Sequence, residues 1–364
     1  MRLRTCLAVE LVVGAALFGG TATGMVYGAR VAGTYLSDTE AAAATDPSYD
    51  PRAVNAVTPI RPARLEIGAS APKLGTVFPA ADEALLAPLH TAKLVRVKLN
   101  HGGTSLSLRL DFDDGARAAF KPEQTFYQSN PRREIAAYRI DRWLGIGRVP
   151  PAFARSFTLA ELIAALDASQ RGWGTARMID EIVAHGPLVS GEVSWWIPDI
   201  IDAKIEGDRV DMDEGIVRWH RYLRAGAEIP PAAYEMARQV SDVILFDFLI
   251  DNVDRWTLSN TKGSPDGHVL YFMDNTLSFS PFGDGRTKSH LYLHRAQRFS
   301  RRLVTRLRAL TRDDVEQLFA DDGPLGTLVA PDEKTALLAR RDAALRYIDG
   351  LIAEFGDAEV LSFP

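Results

Sequence analysis

A chain of 364 residues, 46% of them hydrophobic, can bury a sizeable core as one two-lobed domain or as two small ones. Charged residues make up 24% and the formal net charge is −5, so the basic footprint of a nucleic-acid-binding protein is missing and no nucleic acid is expected as partner. The single cysteine, Cys6, lies in the N-terminal apolar segment, so the globular part can depend neither on disulfides nor on a thiolate metal site.

Arg2 and Arg4 precede a mostly apolar run from Cys6 to about Gly28, interrupted by Glu10. A positive end followed by an apolar run is what the secretion machinery engages. Small residues permit cleavage after Ala22 or Ala29, while the uncharged stretch Leu11 to Gly28, 18 residues, approaches the minimum spanning length and can be retained as an anchor. Glu10 would cost roughly 2–3 kcal/mol at mid-bilayer and much less at the membrane edge. Arginines at the extreme N-terminus keep that end inside and the remainder outside. Residues 1–29 are therefore expected to be a signal anchor or signal peptide, giving a membrane-anchored or secreted protein with its globular domain outside the cytoplasm. Residues 30–65, rich in Ala, Asp, Pro and Thr, read as a flexible linker, and 66–364 as the folded domain.

Residues Thr91 to Phe120 alternate as strands do. Leu94-Val-Arg-Val-Lys-Leu99 is followed by a Gly102-Gly103 turn, by Leu106-Ser-Leu-Arg-Leu-Asp111, by the hairpin sequence Asp113-Asp-Gly115, and by Ala116-Arg-Ala-Ala-Phe-Lys121. Glu134 to Leu144 is an amphipathic helix stopped by Gly145. A mixed segment leads to the strand-like Gly191-Glu-Val-Ser-Trp-Trp-Ile-Pro198. Pro231 to Leu249 is a long helix ending at Asp251-Asn-Val-Asp-Arg255, and a strand is expected over His268 to Asn275. The last helices are expected over Leu291 to Leu310, Arg312 to Phe319 and Asp332 to Phe355. Strands first and helices later indicate an α+β chain with a small β-rich N-lobe and a mostly helical C-lobe.

Four ionisable residues stand where phosphoryl transfer needs them. Lys121 ends the third strand, where an ammonium reaches nucleotide phosphates; Glu134 lies on the next helix, able to pair with it. Asp254 follows a hydrophobic helix, suited to take the proton of an attacking hydroxyl, and Asp274 ends a strand with hard oxygens for a divalent ion. Each alone has a bland reading: a solvated strand-end lysine, a turn aspartate, a surface Asp254-Arg255 pair. Their order along the chain is what singles them out.

The same residues carry a family resemblance. Phe120-Lys-Pro-Glu-Gln-Thr-Phe-Tyr127 and Arg133-Glu-Ile-Ala-Ala-Tyr-Arg-Ile-Asp-Arg-Trp-Leu-Gly-Ile-Gly-Arg-Val-Pro-Pro151 resemble the Golgi casein kinase and four-jointed family of secretory-pathway kinases. Asp242-Val-Ile-Leu-Phe-Asp-Phe-Leu-Ile-Asp-Asn-Val-Asp-Arg255 and Phe272-Met-Asp-Asn275 continue it, with weaker matches at Trp196-Ile-Pro198 and Arg295 to Ser300. The resemblance implies a two-lobed atypical kinase fold, ATP with Mn2+ or Mg2+, and a protein or glycan hydroxyl as acceptor. It implies that Lys121 and Glu134 serve the nucleotide, Asp254 is the catalytic base and Asp274 a metal ligand, with Asn260 as a second ligand one position later than the usual spacing. Thr276 stands where the family tends to have glycine or glutamate, and the globular part lacks the disulfides of the animal enzymes. A pseudokinase-type regulatory module is the alternative, and a cytoplasmic HipA-like kinase the third reading.

Other sequence features read as structural. His290 and His294 lack the intervening glutamate of a zinc helix, so a helix face is expected there. The arginines from Arg295 to Arg308 read as a solvated face, and Trp195-Trp196 as core or pocket wall.

Overall fold

The computed structural model describes residues 76–100, 104–257 and 260–364. The leader and linker expected over residues 1–65 and the Gly102-Gly103 turn lie outside the described residues. Five strands, β1 (Leu94–Leu99), β2 (Leu108–Phe112), β3 (Arg117–Pro122), β4 (Ala152–Thr158) and β5 (Leu188–Trp195), form an antiparallel sheet in the order β1-β2-β3-β5-β4. Alternation sets its two faces. Val97, Leu108, Leu110, Ala118, Phe120 and Val193 bury into a core completed by Leu162 and Met178 of the Leu159–Ala164 and Arg171–Glu181 helices. The opposite face carries Lys121, Ala119 and, across the ladder, Glu192 and Ser194. Between β2 and β3 the expected hairpin turn forms, with Gly115 at φ 86°, a conformation that glycine adopts at no steric cost.

A second core holds the helical part. Its centre is the Pro231–Ile250 helix, whose residues from Gln239 to Ile250 are all buried, as a helix apolar nearly all round demands. The Pro131–Leu144 helix packs its Ile135, Ala136, Ala137, Ile140 and Leu144 into this core rather than into the sheet's. Asn130 caps it by accepting a hydrogen bond from Arg132 N, Pro131 occupies the first turn, and Gly145 closes it in the left-handed region. The α+β, two-lobed architecture expected from the sequence is the one that forms.

Three local expectations change. A single helix over Leu291–Leu310 gives way to two, Thr287–Leu293 and Arg301–Ala309. Between them the backbone bonds elsewhere: Gln297 N to Leu223 O at 2.8 Å, Phe299 N to Val360 O at 2.7 Å, and Phe363 N to Phe299 O at 3.3 Å. Ser300 then caps the second helix through Leu303 N. The strand expected over His268–Asn275 is paired only at Leu270–Tyr271, within a small sheet with Lys262–Gly263 and Ile201–Asp202. The segment between the Arg133 helix and Gly191, read as mixed, holds β4 and two short helices.

Candidate active site

Lys121 leaves β3 on the face opposite Phe120. Its Nζ donates to Glu134 Oε1 at 2.5 Å and to Asp274 Oδ1 at 2.9 Å, so one ammonium joins a strand, a helix and a distant loop. Burial alone would drive the proton off this lysine, but Asp274, Glu134 and Glu192 outweigh it and hold its pKa above the usual lysine range. The ammonium is therefore charged at any physiological pH. Glu134 has both oxygens engaged, Oε1 by Lys121 and Oε2 by Asn275 Nδ2 at 3.1 Å.

Asp254 lies just past the Pro231–Ile250 helix, which ends with Asp251 in the left-handed region at φ 55°. Its backbone N–H donates to Asn252 Oδ1 at 3.0 Å. Thr257 Oγ1 donates to its Oδ1 and Asn260 Nδ2 to its Oδ2, each at 2.7 Å. Asn260 thus turns its amide onto Asp254, and its own Oδ1 takes no hydrogen bond among the described residues. Arg255 is not the exposed partner of Asp254: it is fully buried, forks onto Asp247, and donates to Asn275 Oδ1 at 2.7 Å and to the Met273 carbonyl. Asn252 Nδ2 reaches the Asp274 carbonyl and Asn275 Oδ1, each at 3.2 Å. The loop bearing Asp254 and the segment bearing Asp274 are fastened together by these two side chains.

Asp274 itself sits at φ 58°, a left-handed conformation uncommon for a non-glycine residue, and its side chain remains 41% exposed. Burial would raise its pKa, but the Lys121 ammonium, with the Thr276 hydroxyl and Arg255 behind it, pulls the carboxyl below the ordinary range. Sequence reasoning missed one member of this constellation. Glu192, cross-strand from Lys121 and only 2% exposed, is pushed up to about 8 by burial and by the charge of Glu134. Its strand passes close because Gly191 has no side chain: a Cβ there would lie 2.4 Å from the Lys121 carbonyl oxygen. The available clue was a lone carboxylate inside an apolar strand beside that glycine.

The donors fit a hard divalent cation only if most of its ligands come from outside the protein. Asp274 Oδ2 takes no hydrogen bond among the described residues, and no group of three or more His, Cys, Asp or Glu able to hold a metal occurs among them. One or two protein oxygens plus phosphates is the usual composition of such a site. His290 and His294 take no part: their rings pack 5.6 Å apart and His290 meets the Asp284 carbonyl.

A five-stranded antiparallel sheet bearing a strand lysine, a helix glutamate paired to it, and a helical lobe bearing the two aspartates define a protein kinase-like fold. No protein-family profile matches the chain. The human extracellular serine/threonine protein kinase FAM20C is 25% identical over 312 residues, covering 74% of this chain and 53% of that protein. The glycosaminoglycan xylosylkinase of Danio rerio is 28% identical over 231 residues, covering 54% of this chain and 56% of that one. The matches thus span little more than half the length of these relatives. The crystal structure of the Golgi casein kinase with Mn/ADP bound superposes with a TM-score of 0.58 at 17% identity, covering 77% of this chain and 78% of that one. The chain shares the fold of the Golgi casein kinase and is similar in sequence to FAM20C and to the xylosylkinase.

Proposed function

We propose that this chain is an ATP-dependent phosphotransferase acting, outside the cytoplasm, on a hydroxyl of an exported protein or of a glycan. The observation that carries the reading is the double contact of Lys121 Nζ with Glu134 and Asp274, beside an Asp254 loop fastened to Asp274 through Asn252. Lys121 binds the nucleotide phosphates, and Glu134 keeps its ammonium in place. Asp274, with Asn260 as second ligand, would hold the divalent ion, Mn2+ or Mg2+, which when bound would neutralise phosphate charge. Asp254 accepts the proton of the attacking Ser, Thr or sugar hydroxyl; Thr257 and Asn260 orient its two oxygens. The FAM20C and xylosylkinase relatives support both acceptor classes and an extracellular location, and residues 1–29 would supply export or membrane anchoring. A non-catalytic regulatory module is less well supported, since Lys121, Glu134, Asp254 and Asp274 are all present.

The test is phosphate transfer from labelled ATP, with Mn2+ and with Mg2+, to a casein-like peptide and in parallel to xylose-bearing glycan acceptors. Transfer to one acceptor class is expected. Asp254→Asn should cut turnover by at least about 100-fold while nucleotide still binds. Nucleotide binding without transfer to any acceptor would leave the regulatory module as the better reading.

A further inference from the structure

We infer that Thr276 is a positioning residue that decides which oxygen of Asp274 faces the divalent cation. The inference rests on the phosphotransferase reading and deepens it. Asp274 Oδ1 accepts from two donors, Lys121 Nζ at 2.9 Å and Thr276 Oγ1 at 3.2 Å, whereas Oδ2 accepts none among the described residues. The backbone on either side is already fixed. The Asp274 carbonyl takes Asn252 Nδ2, and the next residue, Asn275, is fully buried and tied to Glu134, Phe272 O and Arg255. What remains free is rotation of the carboxylate about its own side-chain bonds.

Lys121 cannot set that rotation alone. An ammonium is a compact charge on a long, rotatable stem and serves either carboxylate oxygen equally well. The Thr276 hydroxyl can, because it sits directly on Cβ of a side chain only 7% exposed and so is placed by a single rotatable bond. With Oδ1 held by the hydroxyl and the ammonium together, Oδ2 is the oxygen turned outward on a carboxylate that is still 41% exposed. Glycine or glutamate, which the resembling family tends to place here, offers no short hydroxyl at this point. This chain therefore orients its metal-binding aspartate by a device of its own.

The experiment uses the full chain with Thr276→Val, which keeps the shape and removes the hydroxyl, Thr276→Ala, which removes it at smaller volume, and Thr276→Ser, which restores it. Mn2+ binding is read directly by electron paramagnetic resonance in the presence of ADP, with thermal melting as the control for folding. Both hydroxyl-less variants should bind Mn2+ about tenfold more weakly, the loss expected for one hydrogen bond to a charged group. Thr276→Ser should return to within about twofold of wild type, a recovery that a packing role would not predict. In transfer assays the half-activating Mn2+ concentration should rise while kcat at saturating Mn2+ is kept. Wild-type Mn2+ affinity in Thr276→Val, or a serine variant as weak as the valine one, overturns the inference and leaves the phosphotransferase reading standing. A wild-type protein that binds no Mn2+ with ADP overturns both.

Discussion

Three carboxylates, those of Glu134, Glu192 and Asp274, surround the Lys121 ammonium, and at the scale of single residues that imbalance decides how the site titrates. Glu192, raised from an ordinary 4.5 to about 8, keeps a proton in the metal-free fold that the unfolded chain has already released. Between those values the folded state binds more protons than the unfolded state, so this group's contribution to stability is full below about pH 4.5 and is lost as pH rises to about 8. Glu192→Gln imitates the protonated form and removes the dependence. Melting both proteins in EDTA from pH 5 to 9 should show wild type falling relative to the variant, by up to about 4 kcal/mol across the window. Parallel curves would mean that Glu192 is ionised in the fold. Asp242 and Asp247, both raised to about 6 by burial, titrate with the same sign, so the informative quantity is the difference between the two proteins.

Among the elements, the joint between the long Pro231–Ile250 helix and the two site loops depends on one buried ion pair, Arg255 with Asp247 at 3.1 Å. Arg255 also takes Asn275 Oδ1 and the Met273 carbonyl, so its planar fork aligns the segment leading into Asp274. Removing the guanidinium strands a buried carboxylate, and Arg255→Ala should cost about 3–5 kcal/mol in urea unfolding. Arg255→Lys should recover little, since a single ammonium cannot reproduce the fork. A loss below about 1 kcal/mol for Arg255→Ala would mark the pair as dispensable. This arginine also shows where sequence reading stopped. The β1–β3 ladder, the Glu134 helix and the long apolar helix were legible because alternation, amphipathic spacing with a glycine stop, and a largely apolar stretch of helical length are local properties. Lys121 and Glu134 stand near the ends of such elements, whereas Asp274, expected to end a strand, lies three residues past a strand paired only at Leu270–Tyr271, and Asp254 lies in the loop beyond the helix end at Ile250. Arg255 looked like a surface charge, and Glu192 went unweighed, because their partners arrive from remote parts of the chain. The His294–Ser300 break has the same cause: its backbone partners are Leu223, Val360 and Phe363, none of them a neighbour in sequence.

On the scale of the whole folded domain, the site lies where two separately packed cores meet. Lys121 extends from a sheet whose apolar face has its own cluster, centred on Phe120 and Leu110, while Glu134 rides on a helix that belongs to the cluster of the long helix. The Lys121 contacts to Glu134 and Asp274 therefore join the cores by charge. On the proposed function, a divalent ion with ADP would contact Lys121 on the sheet side and Asp274 on the helical side, and so would bind only when both sides are in place. Its binding should therefore stabilise the domain globally, by about 2.7 kcal/mol at a hundredfold excess over Kd. Hydrogen exchange is the discriminating measurement. Mn2+ with ADP should slow exchange in β3 and β5 and also in the Phe246–Ile250 end of the long helix, two regions that share no core. Asp274→Asn keeps the shape of the side chain but lacks the cation's oxygen charge, and should abolish the added protection in both regions together. Protection confined to the sheet in wild type would show that ligand binds one core alone, and the two would then have to be treated as separate folding units.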